Sequence, residues 1–325
     1  FTVYLIGAFV SGFSMCMLNA VVNPMLNTLG GGGNRGNQLV QFGGSCNSIG
    51  ATIVPVLVGY LMGDVYSASI SKANPALFLA MGIFALAFIV LSFVKIPEPH
   101  LVTAKKEKEK HSPFSFRHFV LGTLAIFFYV GVEVGIANFA NLFMTQSVDK
   151  GGLAIDTTVA GTIAGTYWFL MLIGRLTGAS LGAKFSSKSM LTFVSSLGIL
   201  LILLAIFLPL STTVNMPVFK SDISFGLAEV PIGIMLMILC GLCTSVMWGN
   251  IFNLAVEGLG KYTAAASGIF MVMVCGGGVL PLIQGAVADG FGYLASFWVI
   301  IVALAYILYY AQVGSKNVNK DIPVE

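Results

Sequence analysis

The chain of 325 residues is 57% hydrophobic and only 9% charged, with a formal net charge of +3 and a mean hydropathy of +0.93. Soluble domains carry about 25% charged residues, so this composition excludes a soluble globular protein and leaves an all-α integral membrane chain in a lipid bilayer. Nothing in it calls for a nucleic-acid partner, a metal or a bound cofactor, and its five cysteines lie in apolar runs, where they pack as small hydrophobes.

Apolar runs of about 20 residues are long enough to cross a bilayer as helices, and the lack of two-residue alternation argues against strands. Span A (3–27) carries Asn19 and Asn23 ahead of Pro24; Asn23 reads as a cavity amide or as the cap of a helix break. The turn "GGGGNRG" leads to span B (38–62), with Gln41 and Asn47, and then to span C (75–95). A polar connection follows, with the run "KKEKEK" and His100, His111 and His118. It divides the chain into an N-terminal set of helices (1–95), a basic linker (96–118) and a C-terminal set (119–325).

Span D (119–146) contains Glu133 at its middle, where a carboxylate costs roughly 2.5–3.5 kcal/mol on insertion scales. At about 100° per residue, Tyr129, Glu133 and Asn141 share an arc of about 120°, a face suited to a cavity, while Asn138 points away. A carboxylate there can carry a proton or accept hydrogen bonds from a substrate; the plainer reading is a carboxyl bonded to a neighbouring helix. Span E (158–183) holds Tyr167, Trp168 and, near its end, Arg175. Span F (187–210) follows, then G (228–256) with Trp248, Asn250 and Asn253 and with Glu257 just beyond it, H (263–288) with Gln284, and I (292–313). Arg175 and Glu257 read as a cytoplasmic gate pair, or Arg175 as a snorkelling residue that sets the position of its helix. "GASLG" fits a serine-nucleophile pattern, but Ser180 has no membrane histidine to activate it, so small-residue packing is expected. "GLGKYT" lacks the spacing of a phosphate loop. One mid-span acid without a membrane histidine leaves no acid–base pair for an enzyme.

Placing the linker in the cytoplasm puts thirteen of the sixteen Lys and Arg on that side, leaving Lys72, Lys150 and Lys220 outside, as the positive-inside rule demands. Internal similarity adds a second constraint. Asn23 aligns with Asn250, Gly50 with Gly276, Pro55 with Pro281, Gly59 with Gly285 and Asp64 with Asp289, at offsets of 227 down to 225. Spans A–C thus read as a parallel repeat of G–I. Since D–F precede G–I, a further trio is expected ahead of A, with nine of twelve helices present here. Transporters built on such repeats bind substrate near mid-membrane.

The segments "NAVVNPMLNTLG" (19–30), "NSIGATIVPVLVGYL" (47–61), "YVGVEVGIANF" (129–139), "GRLTGASLGAKFSSKSML" (174–191) and "GGGVLPLIQGAVAD" (276–289) resemble the major facilitator superfamily, and within it the fucose/galactose/glucose–proton symporters. The resemblance implies the major facilitator fold, alternating access, and import of a monosaccharide coupled to a transported proton, with sodium coupling or uniport as open alternatives. It also implies a monomer in a bacterial inner membrane. Asn19 stands where such symporters tend to carry an acid, and Gly44 where they often carry a glutamine one turn before Asn47. Amides donate and accept at once, which suits a sugar. The expected substrate or coupling set is therefore Glu133, Tyr129, Asn141, Asn19, Asn23, Gln41, Asn47, Asn250, Asn253, Gln284 and Trp248. An exporter of drugs or metabolites, or a transport-inactive sensor, is the alternative function.

Overall fold

The computed structural model describes residues 2–31, 33–62, 74–95, 111–182, 184–220, 224–319 and 321–324, with only the backbone for 51–62. Asp64, His100 and the "KKEKEK" run lie outside the described residues. Eleven α-helices are described: α1 (Thr2–Leu29), α2 (Gly33–Met62), α3 (Asn74–Phe93), α4 (Arg117–Thr145), α5 (Thr157–Leu181), α6 (Ser187–Phe207), α7 (Ile232–Ser245), α8 (Met247–Val256), α9 (Thr263–Val272), α10 (Gly276–Phe291) and α11 (Tyr293–Tyr309). Among the described residues, eight helical stretches are long and apolar enough to cross a membrane. Two of these are broken, Ile232–Val256 and Gly260–Phe291; α2, which answers to span B, is not among the eight.

Two units divide the chain: Phe1–Ser48 with His111–Glu325, and Ile49–Lys110. In the second unit, α3 is apolar all round and buries no residue, the surface expected of a helix bathed in hydrocarbon. In the first, the core lies among α4, α5, α7, α8 and α11. Tyr129, Phe119, Phe252, Phe270 and Phe297 are among its fully buried side chains.

Glycines set the closest approaches. Gly131 and Gly135 lie on α4 to either side of Glu133 in sequence and turn away from it, toward α10. A Cβ on Gly131 would strike Leu280, and one on Gly135 would lie 2.5 Å from Gln284 Oε1. Gly276 answers from α10, where a Cβ would run into the Phe127 carbonyl. Gly174 and Gly178 do the same for α5 against Ser245 and Val246. Small residues four apart let backbones pack without a hydrophobic driving force between helices, and the expected packing role of "GASLG" agrees with Gly178.

Spans G and H differ from expectation. G was expected to start at 228, but Phe225–Pro231 forms strand β2, antiparallel to β1 (Thr213–Phe219), with Thr213 opposite Pro231 and Phe219 opposite Phe225. Branched and aromatic residues favour the strands; Phe219 also stacks on Phe169 at 4.6 Å and donates its N–H to Thr166 Oγ1 at 2.9 Å, which holds the hairpin on α5. The break between α7 and α8 falls at Val246, whose carbonyl accepts from Gln41 Nε2 at 2.9 Å. That carbonyl still accepts from the Asn250 N–H at 3.3 Å, so Gln41 adds a tie at the break without displacing the backbone bond. The hydroxyls of Thr244 and Ser245 bond back to carbonyls of α7, at 3.1 and 2.6 Å, which bends helices. In H, a 3-10 turn at Met273–Cys275 separates α9 from α10.

Candidate functional site

Glu133 does not stand without a counter-charge. Its Oε1 lies 3.5 Å from Nη2 of Arg175 on α5, with side-chain exposures of 15% and 9%. Arg175 was expected near the cytoplasmic end of span E, pairing with Glu257 or snorkelling to the interface. It is instead a buried residue inside α5, and Glu257 caps the end of α8, where its carbonyl meets His118 Nε2 at 3.0 Å. The latch between them is therefore absent from this structure. His118, expected in the linker, is the second residue of α4 and fully buried, because α4 begins at Arg117, two residues before the expected start of span D.

Three further contacts hold Arg175. Nη1 donates to the Gly44 carbonyl at 3.0 Å and to Ser48 Oγ at 2.6 Å, and Nε donates to the Ser245 carbonyl at 3.4 Å. The guanidinium thus ties α2, α4, α5 and α7 together, using a fork of fixed donors that lysine lacks. Tyr129, one turn before Glu133, is fully buried, and its hydroxyl faces both charges without reaching hydrogen-bond geometry among the described residues. Its ring meets Trp248 edge-on at 6.1 Å, and Trp248 meets Phe270 at 6.0 Å. Tyr167 lies perpendicular to Trp168 at 5.4 Å and shares a 2.9 Å hydrogen bond with Thr244. The result is a charged pair framed by aromatic rings, an arrangement able to exchange a proton and to stack a ring-shaped polar solute.

The other expected residues are dispersed. Asn19 and Asn23 donate to carbonyls of their own helix, Met15 and Asn19, each at 3.1 Å. Helix α1 runs unbroken through Pro24, so Asn23 does not cap a break. Gln41 is committed to the Val246 carbonyl, and Asn47 is exposed. Asn253 bonds Asn27 and Ser187, and Asn250 is fully buried. Gln284 bonds Ser296 Oγ at 3.4 Å, and its Oε1 lies over Gly135, on the far side of α4 from Glu133. Asn141 is half-buried with an unpartnered Oδ1 among the described residues, about 12 Å along α4 from Glu133. Asn138 is exposed, as its angle predicts. A cavity of 590 Å³ between α5, α6 and α7 is walled mostly by hydrocarbon, including Leu181, Phe193, Leu197 and Leu242; its lining includes neither Glu133 nor Arg175. Ser48 and Ser245 are the contributors that the sequence did not single out. The only signal for them was a small polar residue in an otherwise apolar helix.

Comparison with known proteins places these features in a wider set. Residues 1–280 match the family model described as Major Facilitator Superfamily. A glucose/galactose transporter of Brucella abortus (strain 2308) is 29% identical over 323 residues, covering 98% of this chain and 73% of that protein. A putative glucose/galactose transporter of Helicobacter pylori (strain J99) is 29% identical over 335 residues, covering 97% and 74%. The L-fucose-proton symporter of Escherichia coli K12 is 23% identical over 347 residues, covering 98% and 73%. Among solved structures, the crystal structure of a transporter, FucP, in the outward conformation superposes with a TM-score of 0.73 at 20% identity, over 92% of this chain and 73% of that one.

Proposed function

The chain belongs to the Major Facilitator Superfamily, and on that premise we propose that it imports a monosaccharide of the fucose, galactose or glucose class by proton symport with alternating access. The names of its relatives support the substrate class. The observation that carries the coupling is the buried pair of Glu133 and Arg175 beside Tyr129.

A proton arriving at Glu133 turns a carboxylate into a neutral acid and dissolves the ion pair. Arg175 is not stranded by that event, since two carbonyls and Ser48 still accept from it. The neutral carboxyl then offers a donor and an acceptor to a sugar hydroxyl, with the facing Tyr129 hydroxyl, unpartnered among the described residues, as a further polar group and Trp248 as the apolar platform. Loss of the proton restores the pair and expels the sugar's hydrogen bonds. No cofactor takes part; the proton is the transported coupling ion. Residues 1–95 and 119–325 act as the two halves, joined by the basic linker 96–118, in a monomer of the bacterial inner membrane.

Uptake of labelled fucose, galactose and glucose into proteoliposomes, with an inward proton gradient and then with a sodium gradient, tests the reading. Accumulation of at least one sugar under the proton gradient alone is expected. Accumulation driven only by sodium overturns the coupling ion, and efflux of an unrelated amphiphile with no sugar uptake overturns the substrate class.

A further inference from the structure

We propose that Asn27, Asn253 and Ser187 form an uncharged latch that holds the cytoplasmic side of the protein shut. The inference rests on the transport reading above and on the orientation set by the basic residues. Asn27 lies in the last turn of α1 and Asn253 in the last turn of α8, two ends that orientation places at the cytoplasm. Asn27 Nδ2 donates to Asn253 Oδ1 at 3.1 Å, and Asn253 Nδ2 donates to Ser187 Oγ, at the start of α6, at 2.9 Å. All three side chains are buried, so the relay joins the first helix of the chain to two helices of the C-terminal set.

The site is shaped for this contact. A Cβ on Gly36 would come within 2.8 Å of the Asn27 carbonyl and 3.1 Å of its side chain, so glycine there leaves the amide its room. The two asparagines are 226 positions apart, inside the range of offsets that relates spans A–C to G–I. Asn23, four residues earlier on α1, aligns with Asn250 at an offset of 227, so Asn253 lies one position from the counterpart of Asn27 and the bond joins near-equivalent ends of α1 and α8. An amide, with donor and acceptor in one plane, lets two like residues bond each other where two equal charges would repel.

The energetics suit a part that must open. In a dry interface the broken amides would be left unsatisfied, which holds the contact closed; once water enters, protein and water hydrogen bonds exchange at little net cost. Gln41, bonded to the Val246 carbonyl, is a second uncharged tie between α2 and the break in span G.

Ala20, packed against the core two turns from Asn27, serves as a reporter in a background with the five native cysteines replaced by alanine. In inside-out vesicles, an impermeant maleimide is expected to label Ala20→Cys several-fold faster when Asn27→Ala or Asn253→Ala is added. Equal rates, or acceleration only from the opposite face, overturn the latch. In the same background, Asn27→Cys with Asn253→Cys should cross-link on oxidation, stop uptake, and recover on reduction. Failure to cross-link contradicts the contact, and undiminished uptake by the cross-linked protein contradicts the gate. If the cysteine-free parent takes up no sugar, the transport reading falls while the labelling result still decides the latch.

Discussion

Glu133 reaches Arg175 through one oxygen at 3.5 Å, and that single contact has unequal consequences for its two members. Arg175 keeps three other acceptors, whereas among the described residues the Glu133 carboxylate has no other ion-pair partner. Removing one partner of a buried pair costs about 3–5 kcal/mol, because a charge is left uncompensated. Arg175→Ala should therefore lower the thermal unfolding temperature in detergent, and adding Glu133→Gln should recover much of the loss. Equal stability of Arg175→Ala and the parent would show that the pair holds nothing. Tyr129→Phe removes a hydroxyl that makes no hydrogen bond among the described residues, so it should leave unfolding unchanged while weakening sugar-dependent transport. A stability loss without a transport effect would make Tyr129 structural. Glu133 was legible in the sequence because a charge inside an apolar run has no cheap explanation. Its partner was not: Arg175 lies near the end of an apolar run, where snorkelling to the interface is the ordinary expectation. Only the packing of α5 against α4 brings it inward.

Helix contacts at the next scale depend on what a missing Cβ permits. Gly276→Ala would push a methyl group into the Phe127 carbonyl, and overpacking of this kind costs about 1–3 kcal/mol, read as a lower unfolding temperature with α4 and α10 forced apart. Gly260 sits at φ +50 against the carbonyl of Val324, which accepts from the Lys261 N–H at 3.1 Å. Gly260→Ala should consequently loosen the C-terminal segment, seen as faster proteolysis there. Asp156 caps α5 by accepting from the N–H groups of Thr158 and Val159, which hold its carboxyl below the usual range. Its contribution is present above the ordinary aspartate pKa and disappears as pH falls through the depressed value, so Asp156→Asn should flatten the acid side of the stability profile. An unchanged profile would contradict the cap. The order of the spans was legible from hydropathy, whereas α2 is not among the eight spanning stretches of the described residues and the start of G was displaced by the hairpin. The breaks in G and H were not legible, since neither carries a proline at the break, and the Gln41 contact at Val246 comes from a residue distant in sequence. The hairpin was masked by its own apolar residues, which extend the run of span G.

Over the whole molecule, the internal similarity and the charge asymmetry of the sequence point to a transporter, and the match to the Major Facilitator Superfamily agrees with that class. The dispersion of the amides among helix ties, an exposed face and a single relay could not be foreseen, because hydrogen-bond partners are set by tertiary packing. What survives at the centre is one acid, one arginine and a few rings. The most direct test compares gradient-driven sugar accumulation with sugar exchange at zero gradient in proteoliposomes of the parent and of Glu133→Gln. The account predicts that the variant loses accumulation while still exchanging sugar across the membrane. Undiminished accumulation by Glu133→Gln would contradict it.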